Sequence, residues 1–235
     1  MNGKPRHRLG MAAFMASAML ALSLAASATA ASGADQQPVA PKPVPSAKTA
    51  ADAKLKSATA QQIADHFSAV KTMTGEFVQF GPRGDQTGGK FFLSRPGKIR
   101  FNYENPSPIR VISDGDSVVV GNRKLGTWDI YPLSKTPLAL LLGDKIDLST
   151  SAVKNVTEEA DLVTIVLGNK TIFGNSTITM MFDPKTFDLR QWTITDPQGK
   201  DTSVMIFNVQ TGVEFADSVF KVPYDDVRKS GQNRP

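Results

Sequence analysis

Cysteine is absent from all 235 residues. That excludes disulfides, thiolate catalysis, cysteine-ligated zinc or iron–sulfur sites, and an acylated cysteine behind a cleaved leader. Histidine is nearly as scarce. His7 lies in a leader-like N-terminus, which leaves His66 as the one imidazole of the mature chain. His66 sits on a predicted helix beside Phe67 with no local partner, so a solvent-edge residue outweighs a general base, and a histidine-rich metal site is impossible. No Gly-x-Ser-x-Gly elbow accompanies it, which removes the usual serine hydrolase arrangement. After the leader no run is long and apolar enough to span a bilayer as a helix. An excess of one charge is lacking as well. The leader carries Lys4, Arg6 and Arg8, three of 27 basic residues against 22 acidic, so the formal +5 falls to +2 once it is removed. Such a chain is not a strongly basic nucleic-acid binder.

What is present begins with that leader. A basic head, an apolar run from Leu9 to about Ala25 and the small residues Ala28-Thr29-Ala30 predict a secretory signal over residues 1–30, cleaved near Ala30. Residues 31–56 hold Pro38, Pro41, Pro43 and Pro45 among Ala, Lys, Gln and Ser, and read as a disordered linker too poor in large apolar groups to form a core. Residues 57–228 form the one predicted domain, followed by a disordered tail at 229–235.

The domain opens with helical period. Ile63, Phe67 and Val70 share a face, Ser57 or Thr59 can cap the start, and Gly75 lies beyond the end. Met73 to Phe80 then alternates as a strand, with a glycine-rich hairpin loop predicted over 81–89. Residues 89–120 are dense in short aromatic and β-branched runs. Phe91-Phe92-Leu93 is one; Ile99, Phe101 and Tyr103 alternate with Lys98, Arg100 and Asn102 in the next; Val111-Ile112 and Val118 to Val120 follow. Arg95-Pro96-Gly97, Asn105-Pro106 and Ser113-Asp114-Gly115 supply turns. A strand at Trp128 to Tyr131 ends at Pro132. Thr136 as cap, Pro137 at the first helical position, four leucines and Gly143 predict a short, very apolar helix. Strands over 162–167, 176–182, 189–195 and 202–209 complete a mainly β chain, an antiparallel sheet or barrel with two amphipathic helices.

Chemistry is hard to find in this pattern. Glu76, Asp114, Asp116, Asp183 and Asp196 are the carboxylates from which a catalytic pair could be drawn. Most lie in Asp-Gly, Asp-Pro or related turns, where such side chains hydrogen-bond their own backbone. The glycines at 81, 84, 88 and 89 do not lead into a lysine-bearing helix and are not a phosphate cradle. Several strands are apolar on both faces: Phe91 and Phe92 must point oppositely, and Ile178, Met180, Met181 and Phe182 follow one another closely. Such a sheet needs cover on both faces or an apolar guest on one. Met180, Met181 and Met205 would suit an adaptable lining, although methionines also fill ordinary cores.

The order of these motifs resembles the family of periplasmic outer-membrane lipoprotein carrier proteins. The series runs through Thr74-Gly75-Glu76-Phe77-Val78-Gln79, Arg95-Pro96-Gly97-Lys98-Ile99-Arg100-Phe101, Val111-Ile112-Ser113-Asp114-Gly115, Pro137 to Leu142, Leu189 to Asp196 and Phe220-Lys221-Val222-Pro223. The resemblance implies an unclosed antiparallel β-barrel, a half-barrel, with short amphipathic helices as a lid over an apolar cavity. It implies no enzyme activity and no cofactor. Acylated lipoproteins are the implied cargo, received from an inner-membrane ABC transporter and passed to an outer-membrane acceptor by a periplasmic protein, here expected to be a monomer. By the same resemblance Arg95 is the lid latch, Ile99, Phe101, Tyr103 and Phe77 line the cavity, and Leu138, Leu140, Leu141 and Leu142 form the lid helix. Val118-Val119-Val120 departs from the aromatics frequent at that place. A shuttle for free lipid or glycolipid shares all of these features. A secreted hydrolase using two carboxylates is the alternative of another class, and it would need them to face each other across a polar cleft.

Overall fold

The computed structural model describes residues 47–146, 148, 152–171 and 174–232. The predicted leader, most of the proline-rich stretch and the last three residues lie outside that set. Eleven strands form one antiparallel sheet: β1 Thr72–Phe80, β2 Gln86–Ser94, β3 Lys98–Tyr103, β4 Ile109–Asp114, β5 Ser117–Asn122, β6 Thr127–Pro132, β7 Val153–Glu158, β8 Val163–Thr171, β9 Gly174–Phe182, β10 Leu189–Thr195 and β11 Asp201–Thr211. Among the described residues three α-helices accompany them: α1 Ala47–Ala69, α2 Leu138–Leu142 and α3 Tyr224–Gln232.

The sheet order is β6-β5-β4-β3-β2-β1-β11-β10-β9-β8-β7. Each run is a meander of hairpins, and the two runs are joined where β1 pairs with β11, Phe77 opposite Ile206. Read around the molecule the order is cyclic and is interrupted between β6 and β7. Those two strands are consecutive in the chain, and the segment between them carries α2. The fold is therefore the expected unclosed antiparallel barrel.

Period-two alternation decides which side chains face inward. Phe91 and Leu93 are buried on the concave face, while Phe92 turns outward against Phe215, ring centroids 5.9 Å apart. On β9, Ile178, Met180 and Phe182 are fully buried, and Met181 between them faces the other way. Of the three methionines considered for the lining, Met180 alone serves. Met205 stands between the inward Val204 and Ile206 and is 46% exposed on the outer face. That outer face is covered near β4 and β5 by Val222 and Val227, which pack on Ile112 and Val119 beside Trp128.

The structure shifts several predicted boundaries. α1 begins at Ala47, within the stretch read as linker, because alanine and lysine favour helix even where too few apolar groups are present to bury. The tail expected from residue 229 instead continues α3 to Gln232, and Ser230 is buried with its Oγ accepting the Trp128 N–H at 2.8 Å. The predicted 81–89 loop contracts to a turn at 81–85, since Gly88 and Gly89 belong to β2. A side chain at Gly89 would place its Cβ 2.0 Å from the Asn102 carbonyl oxygen. Thr136 does not cap α2: Pro137 holds that position, and the threonine hydroxyl donates to the Leu133 carbonyl.

Candidate functional site

The concave face is lined from several strands at once. Phe77 of β1, Ile99, Phe101 and Tyr103 of β3, and Trp192 of β10 are all buried in one cluster with Phe91, Met180 and Phe182. Phe77 meets Phe101 and Tyr103 edge-on, at 5.0 and 5.1 Å between centroids. Gly89, which stands between Phe77 and Tyr103 in the ladder, leaves the space for that contact. Trp192 reaches Phe101 at 6.2 Å, so the two meanders touch through their aromatic side chains. The interior is an adjustable set of rings and aliphatic groups rather than a polar cleft.

Two helices lie over this lining. α1 inserts Ile63, Ala64 and Phe67, the last edge-on to Phe182 at 5.4 Å. α2 buries Leu141 and Leu142 at 1% exposure each, whereas Leu138 and Leu140 are only half-buried against the same cluster. The expected four-leucine face is thus uneven, because five residues of helix cannot turn four side chains to one side. Ser68 couples α1 to the segment that follows α2, its hydroxyl donating to the Ala64 carbonyl and accepting the Ile146 N–H at 2.9 Å.

Arg95, at the end of β2, ties both helices to the barrel. One guanidinium nitrogen donates to the carbonyls of Phe67 at 2.9 Å and Val70 at 3.2 Å, and the other to that of Leu141 at 3.0 Å. The guanidinium carbon lies 4.0 Å above the Phe67 ring. Around it, the Arg95 N–H donates to the Lys71 carbonyl and the Gly97 N–H to the Leu142 carbonyl. Arg95 is 7% exposed and its Nε has no partner. Among the described residues no carboxylate stands within ion-pair distance of it. Burial pushes the guanidinium down to about 10, and the more distant Asp144 only partly offsets this.

Carboxylates do not assemble into a catalytic pair among the described residues. Asp114 accepts the N–H groups of Asp116 and Ser117, Asp183 those of Lys185 and Thr186, and Asp196 those of Gln198 and Lys200. They are turn-makers, as their sequence contexts indicated. His66 is exposed, 4.0 Å from Asp188 and edge-on to Phe187. Sequence reasoning overlooked two members of the site. Trp192 was visible only as part of a motif, and Gln79, buried with its Oε1 accepting from Tyr103 Oη at 2.8 Å, carried no local signal.

An open antiparallel barrel with an aromatic and aliphatic interior, covered by helices that Arg95 ties down, defines an apolar-lined half-barrel. The comparisons with known proteins narrow the class. The family described as Outer membrane lipoprotein carrier protein LolA matches residues 68–223, and the chain belongs to it. The outer-membrane lipoprotein carrier protein of Pseudomonas aeruginosa (strain PAO1 among others) is 28% identical over 168 residues, covering 66% of this chain and 78% of that protein. That of Chromohalobacter salexigens is 25% identical over 195 residues, covering 76% and 91%. Among solved structures, a LolA superfamily protein from Nitrosomonas europaea aligns with TM-score 0.40 at 9% identity, over 70% of this chain and 98% of that one.

Proposed function

We propose that this chain is a periplasmic carrier that takes the acyl chains of lipoproteins into its half-barrel and ferries them from the inner to the outer membrane. The observation that carries the reading is Arg95 donating to carbonyls of both covering helices above the ring-lined interior. Residues 1–30 direct export and are removed near Ala30, and the mature chain works as a monomer. An inner-membrane ABC transporter loads it and an outer-membrane acceptor unloads it. Each buried methylene contributes about 0.8 kcal/mol, so exposing several acyl chains to water would cost on the order of tens of kcal/mol. A carrier must hide that surface and still give it up. Here the helices' apolar faces and the cargo compete for the same lining, which keeps the exchange near balance and requires no covalent step. Phe77, Ile99, Phe101 and Tyr103 receive the chains, and Leu138, Leu140, Leu141 and Leu142 belong to the helix that gives way.

A photo-crosslinking residue at Phe101, in the exported protein within its native envelope, tests this by mass spectrometry of the adducts. Mature lipoproteins among the adducts are the expected result. Free lipids alone would make the protein a lipid shuttle, and the lack of any apolar adduct would remove the carrier reading.

A further inference from the structure

The lining contains a polar pair that acyl chains do not call for. Gln79 and Tyr103 are each more than nine-tenths buried, at 8% and 9% exposure, and they come from β1 and β3, with β2 between. Tyr103 Oη donates to Gln79 Oε1 at 2.8 Å, and the Tyr103 ring rests on Phe77. The phenol thereby uses its hydrogen and the carboxamide its oxygen. Gln79 Nε2 keeps two N–H donors, and no described residue accepts from them. Nε2 is not sealed from water, so at this rim its hydrogens face solvent or a guest rather than the apolar wall.

Position adds to the argument. Gln79 lies near the end of β1 that is far from Arg95: Thr72, at the other end, pairs with Ser94 beside the arginine. Along the strand that separation is roughly 23 Å, comparable with an extended long acyl chain. Phe101 and Ile99 line the wall between the two ends.

We propose that Gln79, oriented by Tyr103, donates its Nε2 hydrogens to an ester carbonyl oxygen of an acyl-glyceryl group, so that the polar root of the cargo is held at this rim and its chains run toward the lid. The inference rests on the acyl-carrier reading above and adds a specificity-determining residue to it. Ester carbonyls are pure acceptors, which matches the two uncommitted Nε2 donors of Gln79. The same ester chemistry occurs in the diacylglyceryl group of a lipoprotein and in a free glycerophospholipid.

The test uses the mature full-length chain and two matched pairs of probes: a dipalmitoylglyceryl-cysteinyl peptide with its dialkyl ether counterpart, and dipalmitoyl phosphatidylglycerol with its dialkyl ether counterpart. Wild type should bind the peptide ester about three- to tenfold more tightly than its ether, the contribution of one or two neutral hydrogen bonds. Gln79→Met should bring that ratio to one, and a ratio unchanged in the folded variant overturns the Gln79 contact. Tyr103→Phe, which removes only the orienting hydroxyl, should lower the ratio in part, and its thermal unfolding curve reports whether the fold is intact should the first variant fail to fold. An ester preference seen only in the phospholipid pair supports the Gln79 contact and assigns the cargo to free lipid. Equal affinity for ester and ether in wild type overturns the inference and leaves the carrier reading standing. Binding of none of the four probes removes both.

Discussion

Leu141 and Leu142 give up nearly all their surface to the interior, which contributes about 3–6 kcal/mol toward keeping α2 in place. The guanidinium of Arg95 adds three charge-assisted bonds, but it is buried without a carboxylate and with Nε unpaired, so its desolvation takes back several kcal/mol. The leucines therefore supply the holding force and the arginine supplies direction. Acyl chains can replace leucine methyls on the same lining, yet they offer no donors for the carbonyls of Phe67, Val70 and Leu141. On the proposed carrier reading, seating the helices would compete with holding cargo, and weakening that competition would raise apparent affinity. Arg95→Leu should load normally but hand its lipoprotein to the acceptor about ten- to a hundredfold less readily, the equivalent of one lost charged hydrogen bond. Transfer kinetics from purified loaded protein measure this, and wild-type release would take Arg95 out of the mechanism. Tyr103 makes a separate prediction about pH. Burial pushes its phenol well above the ordinary 10, so the unfolded chain releases that proton first. Its contribution to stability is complete below pH 10 and declines as pH rises beyond it. Arg95, pushed down to about 10 from 12.5, acts in the opposite sense over the range between those values. Comparing urea unfolding of wild type and Tyr103→Phe from pH 9 to 11 cancels the arginine, and the variant should lose less stability across that range. Phe77, Ile99, Phe101 and Tyr103 were legible from alternation and family resemblance, because each lies in a run with its own periodic context. Trp192 and Gln79 were not, because their partners come from strands distant in sequence.

The elements that local pattern revealed are those buried on one face. β3 alternates Ile99, Phe101 and Tyr103 with polar residues, and β10 emerged with the bounds expected of it. β7 escaped notice because it is an edge strand, with Val153 and Val156 alone among polar neighbours and no second face to bury. α3 was missed for another reason: Val227 is its one buried apolar side chain, set among charged and polar residues, so the segment reads as solvated chain although Val227 and Ser230 share a face. The β1–β11 pairing, which joins the two meanders, brings together residues more than a hundred positions apart and leaves no trace in a short window. Turns, by contrast, were readable from their glycines. Gly97 adopts φ +77° in the β2–β3 turn, and a Cβ there would stand 2.7 Å from the Gly115 Cα in the β4–β5 turn. Those two turns lie against each other, and the Gly97 N–H also holds the Leu142 carbonyl. Gly97→Ala should therefore cost about 1–3 kcal/mol of overpacking and loosen α2 as well. Hydrogen exchange should show the amides of α2 losing protection while those of β9 and β10 keep theirs. Uniform loss across the sheet would mean that the turn and the helix are not coupled.

At the scale of the whole molecule, the strand order describes a barrel with one ladder missing. Ten antiparallel pairings run continuously from β6 round to β7, and the cyclic order would close if those two strands paired. Closing it would remove both sheet edges, the usual advantage of a barrel. The chain instead carries α2 in the connection between the two edge strands, and the arginine that holds α2 acts from the β2–β3 turn. An uninterrupted ring of hydrogen bonds has a fixed circumference, whereas a ring with one missing ladder can widen without breaking any bond. Trp192 meets Phe101 across the interior at 6.2 Å, so a guest large enough to separate those rings must move the two halves apart. The least costly place for that movement is between β6 and β7. Cargo should therefore lengthen the distance between Ile130 on β6 and Asn155 on β7, both exposed, while the distance between Lys90 on β2 and Phe207 on β11, separated only by the intact β1 pairings, stays the same. Because the chain has no cysteine of its own, each pair can be replaced by cysteines and spin-labelled without further substitution. Pulsed electron-spin distance measurements with and without a diacylated cysteinyl peptide decide the matter. Equal lengthening at both pairs would point to general loosening, and no change at the β6–β7 pair would mean that chains enter by displacing α1 and α2 alone, with the seam serving only as their hinge.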